Sequence, residues 1–289
     1  MIDRNRGAPT ATDLPALAMS RPADARRLAE AVLNKRSATV DRIYALHALG
    51  IVERDSGHAG RAIIYFRRGM AASERAGLRD RKVDLAASLG TALAMSGRRH
   101  QALDAFDIAL SNADVGFGAR VLVRRCAARL MFGDPSGAFE DACCAADALA
   151  RIDDPLWEAN ARHNAGDALV ALGRFAAADD QYLLAQQLSE SEGESYAATI
   201  TLHSRGDCAH RRGDLPKALD LLYLARERYQ RLGLVPPEIV RDLAVVLLAA
   251  GLTEEATVAA DELVDVLDAD RASAGRRADG LDHGGDSAP

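Results

Sequence analysis

One glycine recurs through most of this 289-residue chain at nearly constant spacing. Its positions are Gly57, Gly97, Gly133, Gly173, Gly213 and Gly251, at intervals of 40, 36, 40, 40 and 38 residues. An alanine follows each of them five residues later, at Ala62, Ala102, Ala138, Ala178, Ala218 and Ala256. A period of this length is typical of a supersecondary unit that buries its apolar face only against neighbouring copies. We therefore expect a continuous array of repeats.

Other positions recur around each glycine. Bulky or small apolar residues stand nine and twelve residues after it, as in Phe66 and Gly69 or Phe106 and Ala109. Offsets of five, nine and twelve share one face of a helix. Seven residues before the turn stand Gly50, Gly90, Cys126, Gly166, Gly206 and Ala244. Glycine within a helix costs about 1 kcal/mol relative to alanine, so its recurrence indicates close helix packing. Each repeat is predicted to be helix A, a glycine turn and helix B.

The expected fold is all-α, with six helical hairpins at about 37–76, 80–112, 116–151, 155–192, 195–232 and 236–269. Asp134 and Asp154 before prolines, and Asp214 two residues before Pro216, predict helix N-caps. We expect a capping helix within 21–36, at Pro22 to Asn34, and one repeat array over 37–269. Residues 1–20 show no helical periodicity, and 270–289 end in a polar segment, so both ends are expected to be disordered.

Composition excludes several classes of function. Lys plus Arg number 36 against 42 Asp plus Glu, a net charge of −6, so no overall positive field attracts nucleic acid. The longest apolar run, Leu243 to Leu252, is too short to span a membrane, and no leader sequence is apparent. A cytoplasmic protein is expected. Cys126, Cys143, Cys144 and Cys208 lack the spacing of zinc ligands, and we expect Cys143 and Cys144 to be buried or half-buried.

The small–apolar–small pattern around each turn resembles the tetratricopeptide repeat (TPR). The resemblance covers about residues 37–269, and GTALAMSGRRHQALDAFDIAL, Gly90 to Leu110, matches it best. The longer period implies helices extended by about one turn, and the third and sixth repeats lack the bulky residue. The resemblance implies a right-handed α-solenoid whose helices A line a concave groove.

Two further segments are similar to the helical N-terminal half of actinobacterial CHAT-domain proteins. They are DPLWEANARHNAGDALVALGRFAAADDQYLLA and LGLVPPEIVRDLAVVLLAAGLTEEA. In that family a caspase-like protease domain follows the repeats. The sequence stops soon after residue 269, so no catalytic His or Cys of such a domain has a counterpart here. The resemblance implies a repeat module without its effector.

Counting outward positions on helix A yields a polar, histidine-rich candidate groove. Its residues are Tyr44, His47, Thr91, Arg120, Arg124, Asn160, His163, Asn164, Asp167, His203, Asp207, His210 and Arg241. TPR proteins that hold a C-terminal carboxylate carry a basic pair at the positions of Arg120 and Arg124. The other members of that clamp are unmatched, since His47, Ile51 and Ser88 occupy their places. A solvated cationic face is the favoured interpretation of the arginine pair.

Two His–Asp pairs of this set, and the nearby Trp157, each have two possible roles. His163 with Asp167, and His203 with Asp207, share a four-residue spacing that suits a metal site, but hydrogen-bonded His–Asp pairs are favoured. Trp157 is expected to seal the joint with the third hairpin rather than stack on a ligand.

No phosphate-binding loop, metalloprotease motif, nucleophile elbow or kinase signature is present, so we expect neither an enzyme nor a cofactor. The predicted function is binding of a protein or peptide in the groove. A sensor of a small peptide or metabolite is one alternative. Self-association through an apolar last hairpin, with Leu243, Val246, Leu247, Leu263 and Val266, is another.

Overall fold

The computed structural model describes the backbone of residues 10–282 and the side chains of residues 10–269 and 271. This part of the chain contains a 3₁₀ turn, Ala11–Asp13, followed by fourteen α-helices and no strand. Two short helices come first, α1 at Leu14–Ser20 and α2 at Pro22–Asn34. Six hairpins follow: α3 Thr39–Asp55 and α4 Ala59–Arg75; α5 Arg79–Met95 and α6 Arg99–Leu110; α7 Val115–Met131 and α8 Pro135–Arg151; α9 Pro155–Ala171 and α10 Phe175–Ser191; α11 Ser195–Arg211 and α12 Leu215–Arg231; α13 Pro237–Ala249 and α14 Thr253–Asp282.

Helix lengths explain the sequence period. Most helices of the array have 17 residues, and three-residue turns join them, which produces the 40-residue repeat. The helix α6 has only 12 residues, and this shortening accounts for the single 36-residue interval. The predicted hairpins and the helix α2 are present at the expected positions.

The turns use glycine in the left-handed region. All six predicted turn glycines have positive φ, between 70° and 80°. At Gly57, with φ 80°, any other L-residue would be strained. The structure adds a second set of such turns between hairpins, at Gly77, Gly193 and Gly233, and Asp153 occupies the same conformation with φ 56°. This second set of turns was not predicted from the sequence.

Packing between helices A and B follows the recurring small residues. The alanine five residues after each turn glycine is buried in all six repeats. A methyl group on Gly90 would lie 2.9 Å from the Phe106 ring, and one on Gly206 would lie 2.7 Å from the Leu222 side chain. These contacts confirm that the helical glycines permit close approach of a bulky residue on helix B.

The chain divides into two compact units, residues 1–164 (unit 1) and 165–289 (unit 2), where we expected one continuous core. The division falls within α9. Repeats make contacts mainly with their neighbours, and the same sequence pattern occurs at every boundary between adjacent repeats. Periodicity alone therefore does not indicate where such an array divides.

Unit 1 begins with helices that the sequence analysis placed partly in a disordered end. Leu14, Leu17 and Ala18 of α1 are buried, so the expected disorder of residues 1–20 is wrong for α1. Their spacing of three and one residues forms a short apolar face that packs in the main core cluster of unit 1. Arg26 of α2 forms an ion pair of 2.6 Å with the buried Glu53 of α3. Residues 1–9 lie outside the described part.

The last helix also extends further than expected. We predicted a disordered tail from residue 270, but α14 continues to Asp282. Alanine and arginine, which favour helix, are frequent in this stretch and proline is absent, and these preferences outweigh its two glycines. Residues 283–289 lie outside the described part. Of the apolar residues proposed for self-association, Leu243, Val246 and Leu247 are buried within unit 2 and are not available for it.

Other sequence predictions have mixed outcomes. Asp134 and Asp214 cap α8 and α12 by accepting hydrogen bonds from the backbone N–H of Gly137 and Lys217. All four cysteines are free thiols, and Cys144 is exposed, contrary to expectation, because the B-helix face that carries it is not covered. No helix in the described part combines the length and apolar character needed to cross a membrane.

Candidate partner-binding surfaces

The helices A of unit 1 present an arginine-rich surface. Its members lie on α5, α7 and the start of α9, and we call this surface the unit 1 face: Arg81, Asp84, Arg120, Arg124 and Trp157. Each belongs to helix A of the second, third or fourth hairpin. The repeat register therefore aligns side chains that are far apart in sequence.

Trp157 organises two of these arginines. The guanidinium of Arg120 lies 5.5 Å and that of Arg124 lies 5.7 Å from the centre of its ring. Trp157 is half-buried and packs on the apolar cluster of α7 and α8, which confirms its predicted packing role. Its ring also provides two cation–π contacts.

The two arginines differ in their ionic partners. Asp154 Oδ2 accepts hydrogen bonds from Arg120 Nε at 3.1 Å and from Arg120 Nη2 at 2.5 Å. Arg124, by contrast, forms no ion pair with any described residue. Burial lowers the pKa of Arg124, Asp84 opposes this, and the charges of Arg54 and Arg120 reinforce it. Arg124 is thus a half-buried cation whose charge is only partly balanced.

Arg81 and Asp84 form the adjacent part of the unit 1 face. Their side chains are joined by an ion pair of 2.8 Å, and the Arg81 guanidinium also lies 5.1 Å from the centre of the Tyr44 ring. Burial raises the pKa of Asp84, although Arg81 and Arg124 act to lower it. The ring of Tyr44 on α3 therefore lies beside the unit 1 face and contacts one of its arginines.

His47 is not on the surface, contrary to prediction. Its side chain is 8% exposed, its Nε2 lies 3.0 Å from Ser88 Oγ, and its ring packs edge-on against Phe66. Burial, then the charges of Arg124, Arg81 and Arg54, lower the pKa of His47 to about 3. The imidazole is consequently neutral and serves the α3–α5 contact. The prediction failed because Ser88 of α5 and the Phe66 ring cover the side chain.

The remaining predicted residues of unit 1 make mostly local contacts. Thr91 donates to the Ala87 carbonyl, and Asn160, which is exposed, donates to the Leu156 carbonyl. Asn164 Nδ2 donates to the Val123 carbonyl at 3.1 Å, linking α9 to α7. His163 is half-buried. Asn164 is thus occupied in holding two helices together, whereas Asn160 remains accessible.

Unit 2 contains a polar cavity of about 610 Å³. Four carboxylates, two arginines, one histidine and three tyrosines contribute to its wall: Asp167, Asp207, Glu238, Asp242, Arg211, Arg241, His203, Tyr182, Tyr196 and Tyr229. Four of the predicted residues, Asp167, His203, Asp207 and Arg241, are brought together here. The fifth in this unit, His210, lines a smaller adjoining cavity of about 230 Å³.

His203 pairs with a carboxylate that the sequence analysis did not select. Its Nε2 lies 2.9 Å from Asp242 Oδ2 on the next helix A, while Asp207 binds Arg211 at 2.7 Å. The predicted His203–Asp207 pair is therefore wrong, because the neighbouring helix A brings Asp242 closer to the ring. Burial acts to raise the pKa of Asp242, but the hydrogen bonds from His203 and Arg241 outweigh it and lower the pKa.

Tyrosines form the other wall of this cavity. The Tyr182 hydroxyl donates to Asp167 Oδ1 at 2.6 Å, and burial followed by the Asp167 charge raises the Tyr182 pKa. Tyr229 packs edge-on against both His203 and Tyr196, with centroid distances of 6.2 and 6.3 Å. Burial, then Tyr196 and Glu238, raise the Tyr229 pKa to about 12. Both hydroxyls are protonated at neutral pH.

No group of three or more His, Cys, Asp or Glu side chains in the described part is arranged to hold a metal ion. Asp84 and Glu238 were not among the predicted residues, although the sequence contains a signal for them. Both stand thirteen residues before a turn glycine, as do Tyr44 and Arg120. Tyr182, Tyr196 and Tyr229 lie outside the selected helix A positions, and only the folded structure brings them to the cavity.

No protein-family model matches the chain, and no curated protein matches it in sequence. Solved structures do match it. A signal transduction ATPase with numerous domains and a tetratricopeptide repeat sensor, from Pyrococcus horikoshii, is 16% identical with a TM-score of 0.72, and the match covers 89% of this chain and 39% of that one. The chain therefore corresponds to well under half of that protein.

Two other matches extend over most of both chains. BtubC (BKLC) from P. vanneervenii is 18% identical with a TM-score of 0.61, and the match covers 82% of this chain and 94% of that one. A Rap protein complexed with Competence and Sporulation Factor is 12% identical with a TM-score of 0.63, covering 88% of this chain and 72% of that one. At these identities the likeness concerns the fold alone. The chain has an all-α, tetratricopeptide-like repeat fold.

Proposed function

We propose that this chain is a binding module that recognises an acidic segment of another polypeptide on the unit 1 face. The observation that carries the proposal is Arg124, a half-buried guanidinium that forms no ion pair with a described residue and lies against Trp157. Asp154 already neutralises Arg120, so Arg120 acts by holding the Trp157 ring. Arg124 is the cation left to meet an incoming carboxylate.

The energetics favour such a ligand. A charge-assisted hydrogen bond contributes about 1.5 to 3 kcal/mol to binding. This gain is larger when the charged group is already partly dehydrated. The exposed part of the half-buried Trp157 side chain offers apolar area beside the cation, as peptide-binding surfaces commonly do. Binding and not chemistry is the proposed role, because the unit 1 face combines ion pairs and packing contacts without a nucleophile and base in hydrogen-bond reach.

The structural matches support a role in recognition or sensing. One neighbour is a Rap protein complexed with a signalling factor, and another carries a tetratricopeptide repeat sensor. The proposal extends to a cytoplasmic location and to a link with a CHAT-type protease effector. The similarity of residues 154–185 and 232–256 to the repeats of CHAT-domain proteins supports this extension.

The test is a selection of peptides from a random phage-displayed library on the immobilised chain, followed by calorimetry with the enriched peptides. Acidic peptides are expected to be enriched. The substitution Arg124→Gln should weaken their binding about tenfold or more, because it removes the charge-assisted contact. Arg151→Gln, which removes an exposed charge at the end of α8, should leave affinity within about twofold.

Circular dichroism spectra and melting curves would verify that both variants remain folded. Enrichment of peptides without acidic residues, or equal affinity of the wild-type and Arg124→Gln chains, would show that Arg124 is not the recognition element. Loss of binding in Arg151→Gln as well would indicate a general charge effect instead of a defined site.

The cavity of unit 2 favours a second candidate, a sensor of a small ligand. Its volume of about 610 Å³ suits a metabolite or a short peptide, and its carboxylates outnumber its arginines, which suits a cationic one. Thermal stabilisation of the chain by a pool of small amines, absent from a Glu238→Gln variant, would favour this candidate. No stabilisation by any such pool would count against it.

A further inference from the structure

A second cavity lies in unit 1, between α3 and α4 of the first hairpin. It occupies about 580 Å³ and is lined by both helices. Thr39, Arg42 and Leu46 contribute from one face of α3, and Arg68, Ala72 and Arg75 contribute from one face of α4. Because the two helices are antiparallel, these positions meet at the end of the hairpin remote from the Gly57 turn.

The charges on this wall are all positive. Arg42, Arg68 and Arg75 point to one cavity, and none of them forms an ion pair with a described residue. Arg42 Nη1 donates to the Leu33 carbonyl at 3.0 Å, and Arg75 Nε donates to the Ala71 carbonyl at 3.1 Å. Both keep further N–H groups for other acceptors, since a guanidinium has five.

The nearest carboxylates in sequence do not neutralise this cluster. Glu74 binds Lys82 at 2.7 Å, and neither Glu74 nor Asp41 lines the cavity. Three arginines are therefore gathered at one cavity without an acidic side chain among its lining residues. Their mutual repulsion is a cost that a bound anion would remove.

The start of α3 lies at the same cavity, since Thr39 is one of its lining residues. Thr39 is the first residue of this 17-residue helix, and the N-cap residue, Ala38, has no side chain able to cap it. The first-turn N–H groups of α3 consequently receive no side-chain acceptor from the N-cap. Such groups, together with the helix dipole, attract anions.

We propose that this cavity binds a compact polyanion, a small molecule whose diphosphate or clustered carboxylates match the three arginines. Arg68 and Arg75 would donate in forks to the anion, and Arg42 and Thr39 would contact it from α3. Leu46 and Ala72 supply an apolar floor for the uncharged part of the molecule. This site is separate from the unit 1 face and involves none of its residues.

Calorimetric titration of the full chain with inorganic pyrophosphate, and separately with citrate, tests the proposal at physiological ionic strength. Saturable binding of at least one anion, at one site per chain, is expected. The double variant Arg68→Gln, Arg75→Gln should lose about tenfold or more in affinity, since it removes both fork donors of α4. Both residues are exposed, so the fold should tolerate the change.

A matched control variant also loses two positive charges, at positions that do not line the cavity. Arg67→Gln, Arg98→Gln removes two exposed arginines, one of them on α4, that do not line the cavity. Its affinity should stay within about twofold of wild type. A preference for pyrophosphate would identify a phosphorylated ligand, and a preference for citrate a carboxylated one.

The proposal is overturned if neither anion binds saturably at millimolar concentration, or if both double variants lose affinity equally. Neither result bears on peptide binding through Arg124, because the two sites share no residue. The two proposals are therefore tested independently.

Discussion

Individual residues show how strongly the environment acts on equivalent positions of the repeat. His47 and His203 both stand ten residues before a turn glycine. His47 is buried on Ser88, whereas His203 faces a polar cavity and binds Asp242. The difference arises from the next helix A, which presents a serine in one case and an aspartate in the other. Repeat position alone does not determine the role of a side chain.

His47 should make the stability of unit 1 depend on pH. Its pKa in the folded state is about 3, against 6.5 in an unfolded chain. Below pH 6.5 the unfolded state binds more protons than the folded state. The contribution of His47 to the free energy of unfolding is therefore fully present above this pH and is lost as the pH falls. Between pH 7 and pH 5 the loss should reach about 2 kcal/mol. Urea denaturation at both pH values measures it.

A His47→Gln variant should show a shallower loss over the same range, because glutamine keeps a polar group near Ser88 and does not titrate. His100→Gln replaces an exposed histidine and should retain the wild-type pH dependence. If the wild type and His47→Gln lose stability equally between pH 7 and pH 5, His47 is not held neutral in the fold.

At the scale of elements, hydrophobic spacing predicted the hairpins but did not predict the short helix α1. The helix α1 has seven residues, too few for the 3.6-residue period to be recognised in sequence. It nevertheless buries Leu14, Leu17 and Ala18 in the core of unit 1. Such a helix is stable through packing and not through its own propensity. It contributes to covering the first hairpin together with α2.

Leu14→Ala should therefore destabilise unit 1 by about 2 to 3 kcal/mol, since Leu14 is only 2% exposed. Met19→Ala, on the same helix but 68% exposed, should change stability by no more than about 0.5 kcal/mol. Equilibrium urea unfolding of the two variants compares them directly. Equal midpoints would mean that α1 does not contribute to the core.

On the scale of the whole molecule, contacts are made mainly between neighbouring helices, and two compact units result. In repeat arrays stability is approximately a sum over units and the interfaces of adjacent units. A local defect should then weaken its own surroundings more than distant hairpins. Each unit retains an apolar core of its own.

Ala218→Phe tests this expectation in unit 2. Ala218 is fully buried on α12, so a phenyl ring would overpack the hairpin at a cost of about 1 to 3 kcal/mol. Hydrogen exchange followed by mass spectrometry should show reduced protection in α11, α12 and α13, with α3 to α6 little changed. Uniform loss of protection along the chain would indicate one cooperative unit instead.

Much of the fold was predictable because the repeat makes every local signal recur. The turn glycines, the buried alanines and the Asp134 and Asp214 caps all have the predicted roles. The candidate site was less predictable. Arg124 was selected, but its lack of an ionic partner is evident only in the folded structure, where Asp154 binds Arg120 across 34 residues of sequence. The cluster of Arg42, Arg68 and Arg75 was not found, since it joins two helices at positions outside the repeat consensus.

The sequence by itself determined the all-α class, the hairpin boundaries and the close contacts between helices A and B. These features follow from local periodicity, glycine conformation and side-chain size, each of which can be recognised within one short segment of the sequence. Tertiary structure decided which polar side chains are buried, which are paired and which face a cavity. Those outcomes depend on which side chains adjacent helices bring within a few ångströms of one another, and the charge balance of each site follows from that proximity.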